Sequence, residues 1–142
     1  MEAGAVISDK GKVLYWHLPQ GRSVGFLPDV TPDPGCLVDH LWYFVMEYSS
    51  LVVGFAHSHP GDGIPSPSHE DITTFSAWER ALGKRLKWWI VNDEVTAEFM
   101  WVGPGKLDYG ETYRWSSHYA GEPAWVEKLR ILSVPQIVEP KT

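Results

Sequence analysis

Two short groups of residues carry side chains that could hold a metal ion. The first is His57-Ser58-His59-Pro60, in which two imidazoles stand two positions apart. The second is Ser68-His69-Glu70-Asp71, which places a carboxylate twelve positions after His59. Two imidazoles and one carboxylate are ligands that a catalytic zinc ion uses, and they leave a fourth position open for water. Zinc in such a site lowers the pKa of a bound water from about 15.7 towards about 7, which makes hydroxide available at neutral pH.

A strand is predicted directly before the two histidines. Leu51–Ala56 is a short apolar run that contains two valines, which is typical of a buried strand. Residues i and i+2 of a strand point to the same face of the sheet. His57 and His59, at the end of this strand, are therefore expected to aim their imidazoles at one point, and Pro60 is expected to end the ladder.

A helix is predicted after the loop that follows the histidines. Pro60–Pro67 is rich in Gly and Pro and can fold back. Ser68 suits a helix N-cap, with Asp71 at the capping-box position, and Gly83 suits the helix end. The apolar face of this helix comprises Ile72, Phe75, Trp78 and Leu82. The His-x-His pair is weak on its own, and Ser68-x-x-Asp71 is equally well a capping box. Only the combination favours a metal site.

The remaining pattern predicts one domain over residues 1–142, of class α/β (α+β), with a mixed central β-sheet flanked by helices. Asp9-Lys10-Gly11 has turn chemistry and joins two predicted strands of a hairpin. The other predicted elements are hairpin strands at Ala3–Ile7 and Lys12–Trp16, a short strand at Val24–Leu27, a helix over Cys36–Tyr48, strands at Arg85–Val91 and Thr96–Val102, a loop at Gly103–Glu111 and a short helix at Trp125–Leu132.

Charge and composition narrow the class of protein. The net charge is −6 and no basic cluster stands out, which argues against nucleic acid as a main partner, because phosphates demand Lys and Arg. The single Cys36 cannot form an internal disulfide and suits a reducing cytoplasm, so we expect a cytoplasmic protein. No apolar stretch approaches the roughly 20 residues that span a bilayer, so no membrane partner is expected.

The two groups together resemble the signature of the JAMM metalloproteases, also called MPN+ or JAB-domain proteins. The resemblance rests on His57-Ser58-His59-Pro60 followed by Ser68-x-x-Asp71, and the order of predicted strands and helices agrees with it over most of the chain. It implies a JAB/MPN-like (cytidine-deaminase-like) fold and one Zn²⁺ per chain. It further implies that His57, His59 and Asp71 bind the zinc and that Ser68 helps to stabilise the oxyanion of the tetrahedral intermediate.

The family also uses a glutamate on its first strand as general base. Two glutamates precede His57, namely Glu2 and Glu47. Glu2 begins the segment Glu2–Ile7, which is similar to the family's Glu-x-x-Gly-type opening strand. Glu47 falls near the end of the predicted helix, where a solvated helix residue is the simpler interpretation. The resemblance therefore implies that Glu2 takes a proton from the attacking water and passes it to the leaving amine.

The sequence departs from the family pattern in two places. The family usually has seven residues between the second histidine and the serine, whereas eight residues, Pro60–Pro67, stand here. The family also usually carries a helix before its glutamate strand, and the sequence here begins at Met1. Two interpretations stay open: a minimal family member, or a protein partner or second subunit that covers this face of the sheet.

The resemblance implies a zinc-dependent hydrolase of amide or isopeptide bonds. The expected substrate is the C-terminal tail of a ubiquitin-like protein, joined to a target or to a short extension. Leu18–Gly35 and Gly103–Tyr113 are the candidate substrate-contact loops. Two alternatives remain: a non-catalytic JAB/MPN scaffold, and a DNA-repair-associated protein like the RadC proteins, which share the motif.

Other catalytic groupings have little support in the sequence. Cys36 and His40 could form a thiol and base pair, but their spacing places them on one predicted helix without an orienting group. The His-x-Glu and Pro-Cys-x-x-Cys pattern of zinc deaminases is absent, and so is His-Glu-x-x-His. His17, His40 and His118 have no ligand spacing, and His69 is interpreted as a solvent-facing neighbour of the metal ligands.

Overall fold

The computed structural model describes residues 3–17, 45–59, 61, 63–105, 108–116 and 121–133, and within them six strands form one mixed sheet. The strands are β1 (Gly4–Ser8), β2 (Val13–His17), β3 (Val52–Ser58), β4 (Lys87–Val91), β5 (Val95–Trp101) and β6 (Tyr109–Ser116). The helices are α1 (His69–Leu82) and α2 (Trp125–Ser133), and residues 45–47 are also helical. This is the mixed α+β class that the sequence predicts.

Strand order is β2-β1-β3-β4-β5-β6, so the strand that carries His57 lies near the middle of the sheet. β3 pairs antiparallel with β1 and parallel with β4, and the other neighbours are antiparallel. Parallel neighbours need a long crossover connection, and α1 provides it between β3 and β4. The N-terminus of α1 therefore follows the carboxyl end of β3, where the histidines lie.

Most of the predicted elements are confirmed. The β1–β2 hairpin, the helix capped by Ser68, the β4–β5 pair and the final helix all form within two residues of their expected bounds. β3 runs two residues further than its apolar run, to Ser58. The calls that fall outside the described residues are the strand at Val24–Leu27, the loop Leu18–Gly35 and the part of the Cys36–Tyr48 helix before residue 45.

The predicted loop at Gly103–Glu111 is wrong in its last part, because β6 begins at Tyr109 and continues to Ser116. The four central residues of β6 are exposed, so the strand has no buried face whose alternation would reveal it. Its main-chain pairing with β5 holds it instead. Residues 109–113 are thus part of a strand rather than a loop, and β4 and β5 separate that strand from β3, while their contact with a substrate stays a prediction.

The alternation of side chains along the strands builds one apolar core on each face of the sheet. One core packs under α2 and the other under α1. The α2 core contains Ala3, Ala5, Ile7, Trp16, Ala56, Trp89, Val91, Trp125, Val126, Leu129 and Leu132. The α1 core contains Val6, Tyr15, Val45, Val52, Phe55, Phe75, Leu86, Trp88, Ile90, Ala97 and Phe99. His57 shares its side of β3 with Phe55, two residues earlier, so its imidazole lies on the α1 face.

A buried carboxylate fixes α1 against the sheet. Glu79 of α1 is 6% exposed and accepts hydrogen bonds at Oε2 from the Leu86 backbone N–H (2.9 Å) and from Trp88 Nε1 (3.1 Å). Its Oε1 accepts the hydroxyl hydrogen of Tyr109 at 2.7 Å. A buried carboxylate is costly unless its oxygens are hydrogen-bonded, so this acid specifies how α1 sits over β4.

Gly54 allows β3 and β4 to pair closely. A Cβ on Gly54 would overlap the carbonyl oxygen of Lys87, its register partner, and would lie 2.7 Å from a ring carbon of Trp89. Neither a backbone carbonyl nor a buried indole can move aside easily. The glycine is therefore required by packing at the centre of the sheet.

We expect Gly54→Ala to lower the free energy of unfolding by about 3 kcal/mol, the upper range for overpacking a close-packed core. Gly83→Ala is the matched control. Gly83 adopts φ 67° at the end of α1 but has open space around it, so its substitution should cost only about 1 kcal/mol of backbone strain. Urea unfolding followed by circular dichroism measures both values. Equal unfolding midpoints for wild type and Gly54→Ala would contradict the packing argument.

Candidate metal centre

The register of β3 aims both histidines towards α1. His57 lies opposite Gly4 of β1 and beside Ile90 of β4. Beyond the last assigned residue of the strand, the His59 backbone N–H donates to the carbonyl oxygen of Val91 at 2.8 Å, so the pairing with β4 extends through His59. Both imidazoles are thus carried by hydrogen-bonded backbone and point to the same face.

The loop after the histidines is tied to the β4–β5 turn. The Asp93 N–H donates to the carbonyl of Gly61 (3.1 Å), and the Asn92 side-chain amide donates to the carbonyl of Gly63 (2.8 Å). Both glycines have positive φ, 130° and 94°, which side chains rarely tolerate. These bonds fold the loop back, as expected, and bring the first turn of α1 alongside the end of β3.

Asp71 acts both as a helix cap and as a member of the candidate site. Its backbone N–H donates to Ser68 Oγ at 3.0 Å, and its Oδ2 accepts the Ser68 N–H at 2.9 Å, which together form the capping box. Its carboxylate oxygens also face the histidines. The capping and metal interpretations of Ser68-x-x-Asp71 are therefore compatible, because the cap fixes the carboxylate in the orientation that the site needs.

The three candidate ligands converge on one point. His57 Nε2 and His59 Nε2 lie 3.0 Å apart. His57 Nε2 is 3.4 Å from Asp71 Oδ1, and His59 Nε2 is 3.2 Å from Asp71 Oδ2. The side chains are 21%, 29% and 19% exposed, respectively, so the point of convergence is open to solvent on one side. His57, His59 and Asp71 are the metal-compatible cluster within the described residues.

Hydrogen bonds alone satisfy this triangle poorly. The triangle has three close pairs of atoms, whereas each Nε2 carries at most one proton. If both imidazoles donate to Asp71, their N–H groups face each other across 3.0 Å and repel. If one imidazole donates to the other, the acceptor ring and Asp71 meet as two lone pairs. A cation at the centre removes the conflict because all three atoms then donate lone pairs to it.

The distances suit a zinc ion. Zinc bonds of about 2.0–2.1 Å to nitrogen or oxygen imply edges of about 3.3–3.4 Å in a tetrahedron. The two Nε2 atoms are 3.0 Å apart, and each lies 3.2 or 3.4 Å from a different oxygen of Asp71, so every imidazole has its neighbours within a few tenths of an ångström of that value. Two neutral imidazoles and one carboxylate would leave one net positive charge and one open corner. The residues present therefore fit the metal that the sequence predicts.

Hydrogen bonds to the carboxylate keep Asp71 ionised in the metal-free protein. Partial burial by itself raises the pKa of Asp71, but hydrogen bonds from His57, His59 and the Ser68 backbone outweigh that effect. The net result holds the pKa of Asp71 well below its usual range. The carboxylate is thus present as an anion, the form that binds a cation.

Ser68 lies at the edge of the site, exposed to solvent, and its oxygen accepts the Asp71 N–H. That bond does not use the hydroxyl hydrogen of Ser68, so the hydroxyl group can still donate a hydrogen bond. Glu2, the predicted base, lies outside the described residues. The residue directly after it, Ala3, is held beside β3: its N–H donates to Ser58 Oγ (2.8 Å), and the Ser58 N–H donates to its carbonyl (2.9 Å).

A cleft of about 190 Å³ opens beside His57 and Asp71. It runs between α1 and the β1–β3 surface, and its walls are mainly apolar. The lining residues are Gly4, Ala5, Val6, His17, Phe55, Ala56, His57, Asp71, Thr74, Phe75, Trp78 and Trp88. Two other cavities in the described part of the chain, near Arg80 and near Trp125, do not contain any of the three candidate ligands.

His17 is a polar residue of the cleft that the sequence did not indicate as part of a functional site. It has no ligand spacing to any other histidine. Its relation to His57 arises from strand pairing, because both residues lie opposite Gly4, one on each side of β1. To predict that His17 lies near His57, one would need the register of β2, β1 and β3, and local sequence patterns do not contain that information. The alternative pair Cys36 and His40 lies outside the described residues.

Neither the family models nor the curated proteins compared with this chain match it. The resemblance to the JAMM proteases therefore stays a prediction from the spacing of the sequence motif. Among the described helices, none has the length and apolar character needed to cross a bilayer.

Metal binding can be separated from helix capping by two substitutions. We expect Asp71→Asn to weaken zinc binding by more than about 100-fold, because loss of an outer-shell partner alone typically costs 10–100-fold. Ser68→Ala is the matched control: it removes the Oγ bond of the same capping box and should lower stability by about 1 kcal/mol, yet it keeps the backbone bond from residue 68 to the Asp71 carboxylate and all three ligands. Zinc per chain after dialysis, together with urea unfolding, measures both. Full zinc occupancy in Asp71→Asn would show that Asp71 is only a cap.

Proposed function

We propose that this protein is a zinc-dependent metallopeptidase or isopeptidase of the JAMM (MPN+) type, with a JAB/MPN-like fold. The observation that carries the proposal is the convergence of the two imidazoles and the Asp71 carboxylate within 3.4 Å of one another, open on one side. The site lies at the carboxyl end of a central strand and at the start of the crossover helix, a common position for active sites in sheets with parallel strands.

The three ligands would hold one Zn²⁺, which when bound supplies Lewis acidity towards a carbonyl and a water of lowered pKa. The chain supplies the rest. His57 offers its Nε2 from a strand that is paired on both sides, and His59 offers its Nε2 from backbone that is hydrogen-bonded to Val91 of β4, so little reorganisation is needed. Asp71 is held as an anion by hydrogen bonds from the two histidines and from the Ser68 backbone, which lower its pKa. A rigid frame of this kind is what precise positioning of reacting atoms requires.

Glu2 is the proposed general base. It would take a proton from the attacking water and pass it to the leaving amine. Support comes from its neighbour in the chain: Ala3 is hydrogen-bonded through both its N–H and its carbonyl to Ser58, the residue between the two histidines. Ala3 is covalently bonded to Glu2, so the described end of the chain leads directly from the histidine strand to the proposed base.

Ser68 is the proposed oxyanion donor. The capping bond uses the lone pairs of its hydroxyl oxygen, since Asp71 N–H donates to it. The hydroxyl hydrogen is left to stabilise negative charge that develops on the carbonyl oxygen. The capping geometry forms although the loop before Ser68 has eight residues. Hydrogen bonds from Asn92 and Asp93 to the carbonyl groups of Gly63 and Gly61 hold this longer loop against the β4–β5 turn.

The substrate class that suits this site is an extended polypeptide with an amide or isopeptide bond, and we propose the C-terminal tail of a ubiquitin-like protein. The cleft beside the ligands is narrow, mainly apolar and open to solvent, which suits a single extended chain rather than a folded surface. The substrate protein, or its conjugate, would be the principal partner.

Measurements of zinc content, together with the activities of a Glu2 variant and a Glu47 variant, test the proposal. The wild-type protein should bind about one zinc per chain and cleave fluorogenic amides of ubiquitin-like tail peptides. Glu2→Gln should keep its zinc and lose more than about 100-fold in kcat, the usual range for a general base. Glu47→Gln is the matched control, because Glu47 is the other glutamate before His57 and is exposed. It should keep kcat within about twofold of wild type.

Two results would overturn the proposal. Absence of stoichiometric zinc in the purified protein would remove the metal chemistry. Cleavage by Glu2→Gln at the wild-type rate would remove the base. A protein that binds zinc and tail peptides but hydrolyses none of them would instead support the scaffold alternative.

A further inference from the structure

His17 faces the candidate site from the far side of β1. It is the last residue of β2 and lies directly opposite Gly4, and Gly4 lies directly opposite His57. Directly opposed residues in a sheet project from the same face, so both histidines lie on the α1 face. With strands about 4.8 Å apart, the backbones of His17 and His57 are separated by about 9.6 Å.

Gly4 leaves the space between the two histidines open. A Cβ at that position would lie 3.7 Å from the Cβ of His17 and 3.2 Å from the carbonyl oxygen of Ala56. Because Gly4 has no Cβ, the backbone of β1 forms the floor of the cleft, with His17 on one side and His57 on the other. An extended chain about one strand wide fits a gap of this size.

The His17 imidazole has unused hydrogen-bonding capacity. Its Nδ1 is buried and has no hydrogen-bond partner among the described residues. Burial lowers the pKa of His17, so the ring is neutral at pH 7 and offers one donor and one acceptor. A buried polar atom without a partner costs about 1–3 kcal/mol, which a bound group could recover.

The rest of the cleft gives a peptide backbone few polar partners. Apart from indole nitrogens, the polar side chains that line it are His17, His57, Asp71 and Thr74. His57 and Asp71 belong to the candidate metal centre. Thr74 lies on the α1 wall and His17 on the opposite wall. Peptide groups that leave water need hydrogen bonds inside the cleft, and His17 is placed to supply one.

We propose that His17 is a substrate-positioning residue, whose imidazole hydrogen-bonds a backbone amide of the extended peptide that lies over Gly4. The inference rests on the proposed function, since the peptide is the one whose carbonyl would lie at the metal centre. χ2 of histidine is broad, so rotation about it can turn the buried Nδ1 towards the cleft when a peptide binds. The bond would hold the peptide in register with the His57 group.

Binding of a backbone-only probe tests the inference without turnover. Metal-free protein is titrated with N-acetyl-glycyl-glycinamide, and the imidazole ¹⁵N resonances of His17 are followed by NMR. We expect one ring nitrogen to shift, together with resonances of Phe55 and Trp78 in the same cleft. His17→Phe keeps a planar ring but loses both nitrogens, and should bind the probe about tenfold more weakly, whereas His17→Asn should recover part of the affinity.

Kinetics give a second readout with the tail peptide that the zinc-loaded wild type cleaves. His17→Phe should raise KM about tenfold while kcat stays within about twofold, because a contact remote from the reacting atoms contributes uniform binding. Zinc per chain should equal that of the wild type in both variants. A merely structural role would instead lower stability and kcat without the KM-selective loss and without rescue by asparagine.

Three outcomes would overturn the inference. They are an unshifted His17 ring while other cleft resonances move, a probe that moves no cleft resonance up to its solubility limit, and equal probe affinity in wild type and His17→Phe. Failure of the proposed function is distinguishable from these, because it appears as missing zinc or missing cleavage in the wild type. The NMR titration needs neither.

Discussion

The parallel pairing of β3 with β4 is the constraint on which the arrangement depends. Parallel neighbours cannot be joined by a tight turn, so the chain must cross back over the sheet, and α1 makes that crossover. The crossover begins where β3 ends, which brings the first turn of the helix to the two histidines. Gly54 makes the pairing close enough, because any side chain there would collide with the backbone of β4. The topology of the sheet thus brings the two histidines and Asp71 together without a bound ion.

Asp71 joins the energetics of folding to those of the site. A helix N-terminus carries partial positive charge and by itself repels a cation, while it favours a carboxylate. Asp71 occupies that position, accepts the Ser68 N–H and turns its oxygens towards the imidazoles. The helix therefore stabilises the anion, and the anion makes the neighbouring space suitable for a cation. Metal bound there would also stabilise the folded chain, because the ligands come together only in the native state.

The sequence predicts best those features that local physics determines. The helix from Ser68 to Gly83 carries a capping box and a left-handed end, and both form as expected. The end of β3 extends beyond the apolar run, since His57 and Ser58 continue the ladder by backbone pairing alone. β6 is missed because its centre is exposed, so no buried alternation marks it. The placement of His17 across β1 from His57 depends on register across three strands, which no local pattern encodes, and Glu2 stays a prediction.

The apolar end of the cleft explains why the histidine strand can hold a fixed geometry. Phe75 stacks on Trp88 with ring centroids 4.1 Å apart, and Trp88 stacks in turn on Phe55 at 5.1 Å. Phe75 also meets the edge of the His57 ring at 6.1 Å. Aromatic side chains interlocked in this way have few alternative rotamers, and their packing limits how far His57 can tilt. The wall that lines the cleft is therefore the same wall that orients His57, a candidate metal ligand. A change of shape in this aromatic group would alter the cleft and the position of the His57 imidazole together, so the two proposed properties are coupled through packing.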